Sequence, residues 1–306
     1  MKVLVATEKP FAAVAVEGIR REIEDAGYTL ALLEKYTDRA QLLGAVADAD
    51  ALIVRSDKID AEVIDAARQL KIIVRAGAGY DNIDLEAASA RGIVVENTPG
   101  QNSNAVAELV FGLAVMAVRN MYNGTSGTEL RGKRLGIHAF GQVGRNVARI
   151  ARGFQMNISA LDPYCPDEVM LEASVQPLHD VKALYAGNDV VSLHIPATAE
   201  TRGSVGYELI TSMPKNGVLI NTARKEVIDE EGLDKALAER TDIKYVADIR
   251  PGNADALMEK YPGRVFFTPK KMGAQTAEAN INAGIAAARQ TVAYLRDGID
   301  RFRVNK

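Results

Sequence analysis

Short runs of β-branched and other apolar residues recur along this chain, separated by segments in which apolar residues are spaced as on a helix. The runs show no polar alternation, which is typical of parallel strands covered by helices on both faces. In the first third they lie at residues 2–6, 29–33, 51–55, 72–75 and 93–95. Six more follow, at residues 134–138, 158–161, 189–193, 218–221, 245–247 and 265–267. This order predicts an α/β fold built on parallel sheets.

The alternation is interrupted once, after the turn sequence NTPG at residues 97–100. A mostly apolar helix is predicted over 104–119, and a last long helix over 276–296. The chain has 306 residues, about twice the length of a common domain. We therefore expect two doubly wound parallel-sheet domains joined near residue 98, with a cleft between them.

Composition excludes several classes of function. The 37 Lys and Arg residues nearly balance 40 Asp and Glu, so the net charge of −3 provides no global field for nucleic acid or an anionic membrane. Cys165 is the only cysteine and there are three histidines, so we expect no disulfide and no metal site. The apolar run at the N-terminus is too short for a signal peptide or a membrane span. A cytoplasmic protein is the expectation.

The sequence LGIHAFGQVGRNVARIA at residues 135–151 begins as a strand, ends as a helix and contains a dinucleotide-binding glycine pattern. Ala139 occupies the first glycine position, which is a departure from the pattern. The second glycine lets a pyrophosphate approach the backbone, the third permits close helix–strand packing, and the helix N-terminus offers N–H groups to the anion. The residues expected to hold the pyrophosphate are Gly141, Gln142, Val143 and Gly144.

Asp162 ends the next predicted strand, at the spacing that dinucleotide-binding folds use for the adenosine ribose. A carboxylate there accepts hydrogen bonds from the ribose hydroxyls and repels a 2′-phosphate. The sequence therefore predicts NAD, not NADP, as the cofactor.

Five motifs occur in the order of one family: VRAGAGYDNID (74–84), NTPGQNSNAVAELV (97–110), the glycine loop, VSLHIPATAET (191–201) and NTARKEVIDEEGL (221–233). They resemble the D-isomer-specific 2-hydroxyacid dehydrogenases, and most closely short-form D-3-phosphoglycerate dehydrogenases without a regulatory extension. The resemblance implies a flavodoxin-like substrate-binding domain at residues 1–98 and 281–306 and a Rossmann-type NAD-binding domain at 99–280. It also implies a homodimer formed through the NAD domain, and the apolar helix over 104–119 favours such a contact.

The family exchanges a hydride between C2 of a 2-hydroxy acid and the nicotinamide. The cation that orients the substrate corresponds to Arg224, because a guanidinium holds carboxylate and carbonyl oxygens in a planar fork. Asp248 is expected to bond the nicotinamide carboxamide. The further positions that the resemblance places beside the cofactor are His194, Pro196, Thr222 and Gly273.

The proton-moving pair departs from the family, which uses a glutamate and a histidine. Asn253 stands where the glutamate would fall, and TPKKMG at residues 268–273 contains no histidine. Counting from either end of this segment puts Lys270 or Lys271 in the histidine position, and we favour Lys271. The change fits a protein that lost catalysis but kept its cofactor. It also fits a lysine that acts as the acid/base. The pKa of a lysine is ordinarily about 10.4, and a neutral amide and the Arg224 cation nearby would lower it.

Histidines elsewhere are weak substitutes for the missing one. His138 lies in the glycine-loop strand and His179 in a polar stretch, and both are expected to be structural. His194 is the only one that we consider as a stand-in acid.

Arg55 and Arg75 each end a predicted strand, where parallel sheets bind their ligands. Two cations there suit a phosphate, whereas pairing with Asp57 or Asp81 would make them braces of the sheet. By resemblance, the substrate carboxylate meets the backbone of Gly77, Ala78 and Gly79, and Asn102 also faces the substrate. We therefore expect NAD-dependent oxidation of D-3-phosphoglycerate in serine biosynthesis. A hydroxypyruvate or glyoxylate reductase and a non-catalytic NAD(H)-sensing protein are the alternatives.

Overall fold

The computed structural model describes residues 1–305, and Lys306, the last residue of the predicted 281–306 segment, lies outside the described residues. Its contacts divide the chain into two compact units. Unit 1 comprises Met1–Asn102 and Gln275–Lys306, and unit 2 comprises Ser103–Ala274. The assignment of substrate and cofactor to separate domains stays a prediction.

The strands, in chain order, are β1 (Lys2–Thr7), β2 (Thr29–Glu34), β3 (Ala51–Val54), β4 (Ile72–Arg75), β5 (Val94–Asn97), β6 (Arg134–His138), β7 (Asn157–Leu161), β8 (Gln176–Pro177), β9 (Val190–Leu193), β10 (Val218–Asn221), β11 (Lys244–Ala247) and β12 (Val265–Phe267). The helices are α1 (Ala13–Asp25), α2 (Arg39–Val46), α3 (Ala61–Ala66), α4 (Leu85–Ala90), α5 (Ser103–Val118), α6 (Gln142–Gly153), α7 (Asp167–Glu172), α8 (Val181–Gly187), α9 (Tyr207–Ser212), α10 (Glu230–Glu239), α11 (Ala254–Lys260) and α12 (Ala277–Asp297). Two short 3₁₀ turns lie at Asn120–Tyr122 and Lys225–Val227.

Unit 1 contains a five-stranded parallel sheet in the order β2-β1-β3-β4-β5, which is the flavodoxin-like order. Apolar side chains cover both of its faces. One cluster packs under α2, α3 and α4, and the other under α1 and α12. Burial on both faces explains why the strands read as unbroken apolar runs in the sequence.

Unit 2 contains a seven-stranded parallel sheet in the order β12-β11-β10-β9-β6-β7-β8. The strand order reverses between β6 and β9, and in such sheets ligands bind at the carboxyl ends of the strands beside this point. The apolar helix α5 packs on one face of the sheet with α6, and Phe111 stacks on Phe154 with ring centroids 5.0 Å apart. The prediction of two doubly wound α/β domains is confirmed.

β8 is the strand that the sequence did not predict. It pairs with β7 through Ser159 and Ala160 and has only two residues, so it carries no apolar run that a pattern could register. Within residues 1–305 no helix is both long and apolar enough to cross a membrane.

Candidate active site

The turn between β6 and α6 has the geometry of a phosphate-binding loop. Ala139 adopts a φ of +81°, the left-handed conformation that glycine usually supplies. A Cβ on Gly144 would overlap the carbonyl oxygen of Ala139, so the helix packs on the turn as only glycine allows. A Cβ on Gly141 would meet nothing within 4 Å, and α6 has no acidic residue in its first turn. The exposed backbone at Gly141 and Gln142 is therefore suited to an anion.

Asp162 follows β7 directly and shapes this turn. Its Oδ2 accepts the N–H of Phe140 at 2.8 Å, and its Oδ1 accepts the N–H of Tyr164 at 2.9 Å. The carboxylate is half-buried, and each oxygen retains a lone pair for a ribose hydroxyl. The arrangement is compatible with the ribose contact predicted from spacing.

His194 follows β9, and its Nε2 lies 3.0 Å from Ser192 Oγ. Burial lowers the pKa of His194 to about 3, which favours the neutral ring and disfavours His194 as a stand-in acid. His138, which lies in β6 against Tyr185, has its pKa lowered to about 4 by the same cause. His179 is exposed and contacts Asp167 at 3.1 Å. Pro196, two residues after His194, is exposed.

Thr222 lies directly after β10, and its Oγ1 is buried without a hydrogen-bond partner among the described residues. A buried unsatisfied hydroxyl in a native structure calls for a ligand or an ordered water. Thr222 is one of the residues predicted to contact the cofactor. Its unsatisfied hydroxyl, the open backbone at Gly141 and the Asp162 carboxylate are donors and acceptors that fit a dinucleotide.

Arg224 is held in place by Asn221, which the sequence analysis missed. The fully buried Asn221 accepts the N–H of Ala223 at 2.9 Å and donates to the carbonyl of Arg224 at 3.0 Å. Its side chain thus closes the turn that follows β10. The half-buried Arg224 donates to the Ala223 carbonyl at 3.0 Å and forms no ion pair among residues 1–305. In the sequence, the signal for Asn221 was its position directly before Thr222, Ala223 and Arg224.

Asp248 follows β11, is 1% exposed, and binds the segment that carries the two candidate lysines. Its Oδ1 accepts the N–H of Met272 at 2.7 Å and the hydroxyl of Thr268 at 3.0 Å. Its Oδ2 accepts the N–H of Gly273 at 2.8 Å, and a Cβ on Gly273 would lie 2.9 Å from that oxygen. Lys270 and Lys271 are exposed on this segment. The carboxylate therefore fixes the loop, and its predicted bond to the carboxamide stays a prediction.

Asn253 immediately precedes α11 and makes no capping hydrogen bond with its side chain. Its Oδ1 is buried and has no partner among the described residues. This amide oxygen can therefore accept a hydrogen bond in the site.

Unit 1 brings Arg55 and Arg75 together. Arg75 Nε donates to the Arg55 carbonyl at 3.0 Å, and a Cβ on Gly77 would overlap Arg75 Nη1, so glycine makes room for this guanidinium. Arg55 donates to the carbonyls of Lys9 and Pro10 at 2.8 and 3.0 Å. Both side chains are half-buried.

No acid pairs with either guanidinium among residues 1–305. Asp57 instead accepts the N–H of Glu8 at 2.7 Å and the hydroxyl of Tyr36 at 2.9 Å, so it is not an ion-pair partner of Arg55. Burial, and then the charge of Arg55, lower the pKa of Arg75. Two partly desolvated cations side by side favour binding of an anion.

The predicted carboxylate-binding backbone lies directly after β4. Gly77 has a φ of +149°, and its carbonyl accepts the N–H of Thr98 at 3.0 Å. Ala78 is exposed, and its carbonyl accepts Asn97 Nδ2 at 2.6 Å. Gly79 and Asn102 are half-buried. Unit 1 thus places this backbone next to Arg75, as the resemblance implies for a substrate site.

A model of the D-isomer specific 2-hydroxyacid dehydrogenase family, NAD binding domain, matches residues 111–262. The D-3-phosphoglycerate dehydrogenase of Methanocaldococcus jannaschii is 38% identical over 289 residues, which are 87% of this chain and 54% of that protein. The chain therefore spans about half the length of the archaeal relatives that it matches.

Two further comparisons cover the relatives almost completely. The hydroxypyruvate reductase of Thermotoga maritima is 36% identical over 278 residues, which are 84% of this chain and 88% of the relative. The crystal structure of NAD⁺-bound 3-phosphoglycerate dehydrogenase from Entamoeba histolytica aligns with a TM-score of 0.87 and 47% identity, over 100% of this chain and 99% of that one. On this similarity the chain belongs to the D-isomer-specific 2-hydroxyacid dehydrogenase family, and its unit 2 contains the family's NAD-binding domain.

Proposed function

We propose that this protein oxidises D-3-phosphoglycerate to 3-phosphohydroxypyruvate with NAD⁺. The observation that carries the proposal is the Arg55–Arg75 pair, two half-buried guanidinium groups without a carboxylate partner among residues 1–305. A phosphomonoester offers the two guanidinium groups a directly bonded anion, which a 2-hydroxy acid without a phosphate lacks. The names of the Methanocaldococcus and Entamoeba relatives point to the same substrate.

In this proposal each unit has a defined task. Arg55 and Arg75 bind the substrate phosphate, and the backbone of residues 77–79 binds its carboxylate. Arg224 orients the carboxylate and the C2 oxygen with its planar fork. Gly141, Asp162 and Thr222 would hold NAD⁺, which would supply the acceptor for the hydride of C2. The neutral amine of Lys271 takes the C2 hydroxyl proton during oxidation, and its ammonium form returns a proton during reduction.

The acid/base role is tested by the pH dependence of kcat for the wild type, Lys271→Met and Lys270→Met. We expect Lys271→Met to lower kcat about 10²- to 10⁴-fold, the usual contribution of general acid–base catalysis. Lys270→Met is the matched control, because it removes an identical charge from the adjacent exposed position. Equal rates for the wild type and Lys271→Met would exclude this lysine.

The substrate is tested by comparing 3-phosphohydroxypyruvate with hydroxypyruvate as the acceptor. The Thermotoga relative is named a hydroxypyruvate reductase, so the unphosphorylated acid is the competing substrate. We expect Arg75→Ala to lower kcat/KM about 100-fold for the phosphorylated acid and only slightly for hydroxypyruvate, since a hydrogen-bonded charge pair contributes about 1.5–3 kcal/mol. Arg68→Ala, an exposed arginine of unit 1, is the control. Equal losses on both acids would contradict phosphate binding.

We also propose that the protein is a homodimer formed through unit 2. Leu109, Val115 and Met116 on α5 are only partly buried, and Tyr122 beyond it is 65% exposed. An apolar helix face of this kind favours contact with a second copy.

A further inference from the structure

Glu230, the first residue of α10, makes an unusual contact with the loop that carries Asn253. Its Oε1 accepts the N–H of Gly252 at 2.7 Å, and its Oε2 accepts the N–H of Asn253 at 3.2 Å. One carboxylate thus binds two consecutive backbone donors of a loop 22 and 23 residues away in the chain. Hydrogen bonds to a charged acceptor are among the stronger ones in proteins.

The loop sequence suits this contact. A Cβ on Gly252 would lie 3.1 Å from Glu230 Oε2, which is tighter than ordinary van der Waals contact. A larger residue at this position would push the carboxylate away. Glycine at 252 therefore permits the close approach, although its backbone conformation does not itself require glycine.

The contact changes what the Asn253 side chain can do. Asparagine is among the most favourable residues at the position before a helix, because its side-chain oxygen usually accepts a backbone N–H of the first turn. Asn253 occupies that position before α11, yet its side chain makes no such bond. Its Oδ1 is buried and has no partner among residues 1–305.

We infer that Glu230 is a positioning residue that fixes the Asn253 backbone so that the Asn253 amide oxygen stays available to the reacting groups. The inference rests on the proposed function, in which Asn253 stands where related enzymes have the catalytic glutamate. In this chain the carboxylate near this position is that of Glu230 on α10, and it acts on Asn253 by binding the backbone N–H groups of the loop. Asn253 then presents a neutral acceptor to the donor that moves the C2 proton.

The test is a double-mutant cycle of Glu230→Gln and Asn253→Ala, measured as kcat across pH. A glutamine accepts one N–H through its oxygen but presents its NH₂ group to the other, so the loop loses one bond. We expect kcat to fall about 10-fold in Glu230→Gln, with a shifted pH profile and an unchanged KM for NAD⁺. Because Glu230 acts through Asn253, adding Glu230→Gln to Asn253→Ala should cost little more than Asn253→Ala alone.

Two further variants separate positioning from general stability. Gly252→Ala should reproduce the loss of kcat, because its methyl group displaces the same carboxylate. Glu231→Gln removes the neighbouring charge from the same exposed helix turn and should leave kcat unchanged. A lower melting temperature with unchanged kcat, or additive losses in the cycle, would overturn the inference. Wild-type protein that turns over no 2-hydroxy acid would instead reject the proposed function, and this inference with it.

Discussion

Ala139 is the residue at which this chain departs from the dinucleotide-binding pattern and keeps its geometry nonetheless. Its φ of +81° lies where an L-residue brings its Cβ close to the carbonyl oxygen. The surrounding contacts hold it there, since its N–H donates to the Leu161 carbonyl at 2.8 Å and its own carbonyl packs against Gly144. The turn therefore stores backbone strain that a glycine would not.

We expect Ala139→Gly to stabilise the protein by about 1 kcal/mol, because it removes the cost of the left-handed conformation. The measurement is the free energy of unfolding in denaturant. Ala148→Gly, in the middle of α6, is the matched control and should destabilise by about 1 kcal/mol or more. Destabilisation by both substitutions would mean that the Ala139 methyl group contributes more through packing than its conformation costs.

At the scale of single residues, the sequence predicted charged groups for the site but not their hydrogen-bond partners. Arg55 and Arg75 were chosen because each ends a predicted strand, and Arg224 because it matches the cation that orients the substrate in the family. Only the structure shows that Asp57 accepts hydrogen bonds from the Tyr36 hydroxyl and the Glu8 N–H.

At the scale of elements, two carboxylates organise the loops at the carboxyl end of the β11 region. Asp248 binds the segment with the candidate lysines, and Glu230 binds the segment with Asn253. Both loops lack regular structure, so their N–H groups have no backbone partners in a sheet. Side-chain carboxylates accept these hydrogen bonds instead. These bonds determine where the loop side chains lie.

We expect Asp248→Asn to loosen the lysine loop. An asparagine cannot accept from Met272, Gly273 and Thr268 at once without turning its NH₂ group toward a donor. Without NAD⁺, hydrogen exchange of the Met272 and Gly273 amides should accelerate about 10-fold, and kcat should fall at least as much. Glu259→Gln on α11 removes a charge from an exposed site and is the control. Unchanged exchange at both amides would show that another contact holds the loop.

How well the sequence predicts an element depends on the length of that element. Strands such as β1 and β4 were predicted to within one residue, whereas β5 ends two residues beyond its predicted run. The two-residue β8 was not predicted, because its pairing depends on the neighbouring strand and not on its own side chains.

At the scale of the whole molecule, the proposal to test is the formation of a homodimer. The segment after α5 has three consecutive residues in the left-handed conformation, Asn120, Met121 and Tyr122, with φ of 52°, 52° and 54°. Lys244 Nζ holds this turn by donating to the Ala117 carbonyl at 2.7 Å and to Asn120 Oδ1 at 2.6 Å. Strain of this kind in non-glycine residues points to a functional constraint. An interface between two copies would supply one.

We expect light scattering during size-exclusion chromatography to give twice the monomer mass. Tyr122→Glu should lower the dimer fraction, because it places a charge among the apolar residues at the end of α5. Tyr164→Glu alters another exposed tyrosine of unit 2, 87% exposed, and should leave the mass unchanged. A wild-type mass equal to one chain would reject the homodimer.

The sequence by itself determined the fold class and the phosphate-binding turn and predicted the cations of the site, because each rests on a few neighbouring residues. Apolar runs specify buried strands, and a glycine pattern between strand and helix specifies the turn. Only the tertiary structure decided which acid binds which loop. The bonded pairs of Glu230 and Asp248 lie 20 to 25 residues apart and meet because neighbouring parallel strands end at the same edge of the sheet. No local pattern records such pairings, since they depend on strand order and on the path of each loop.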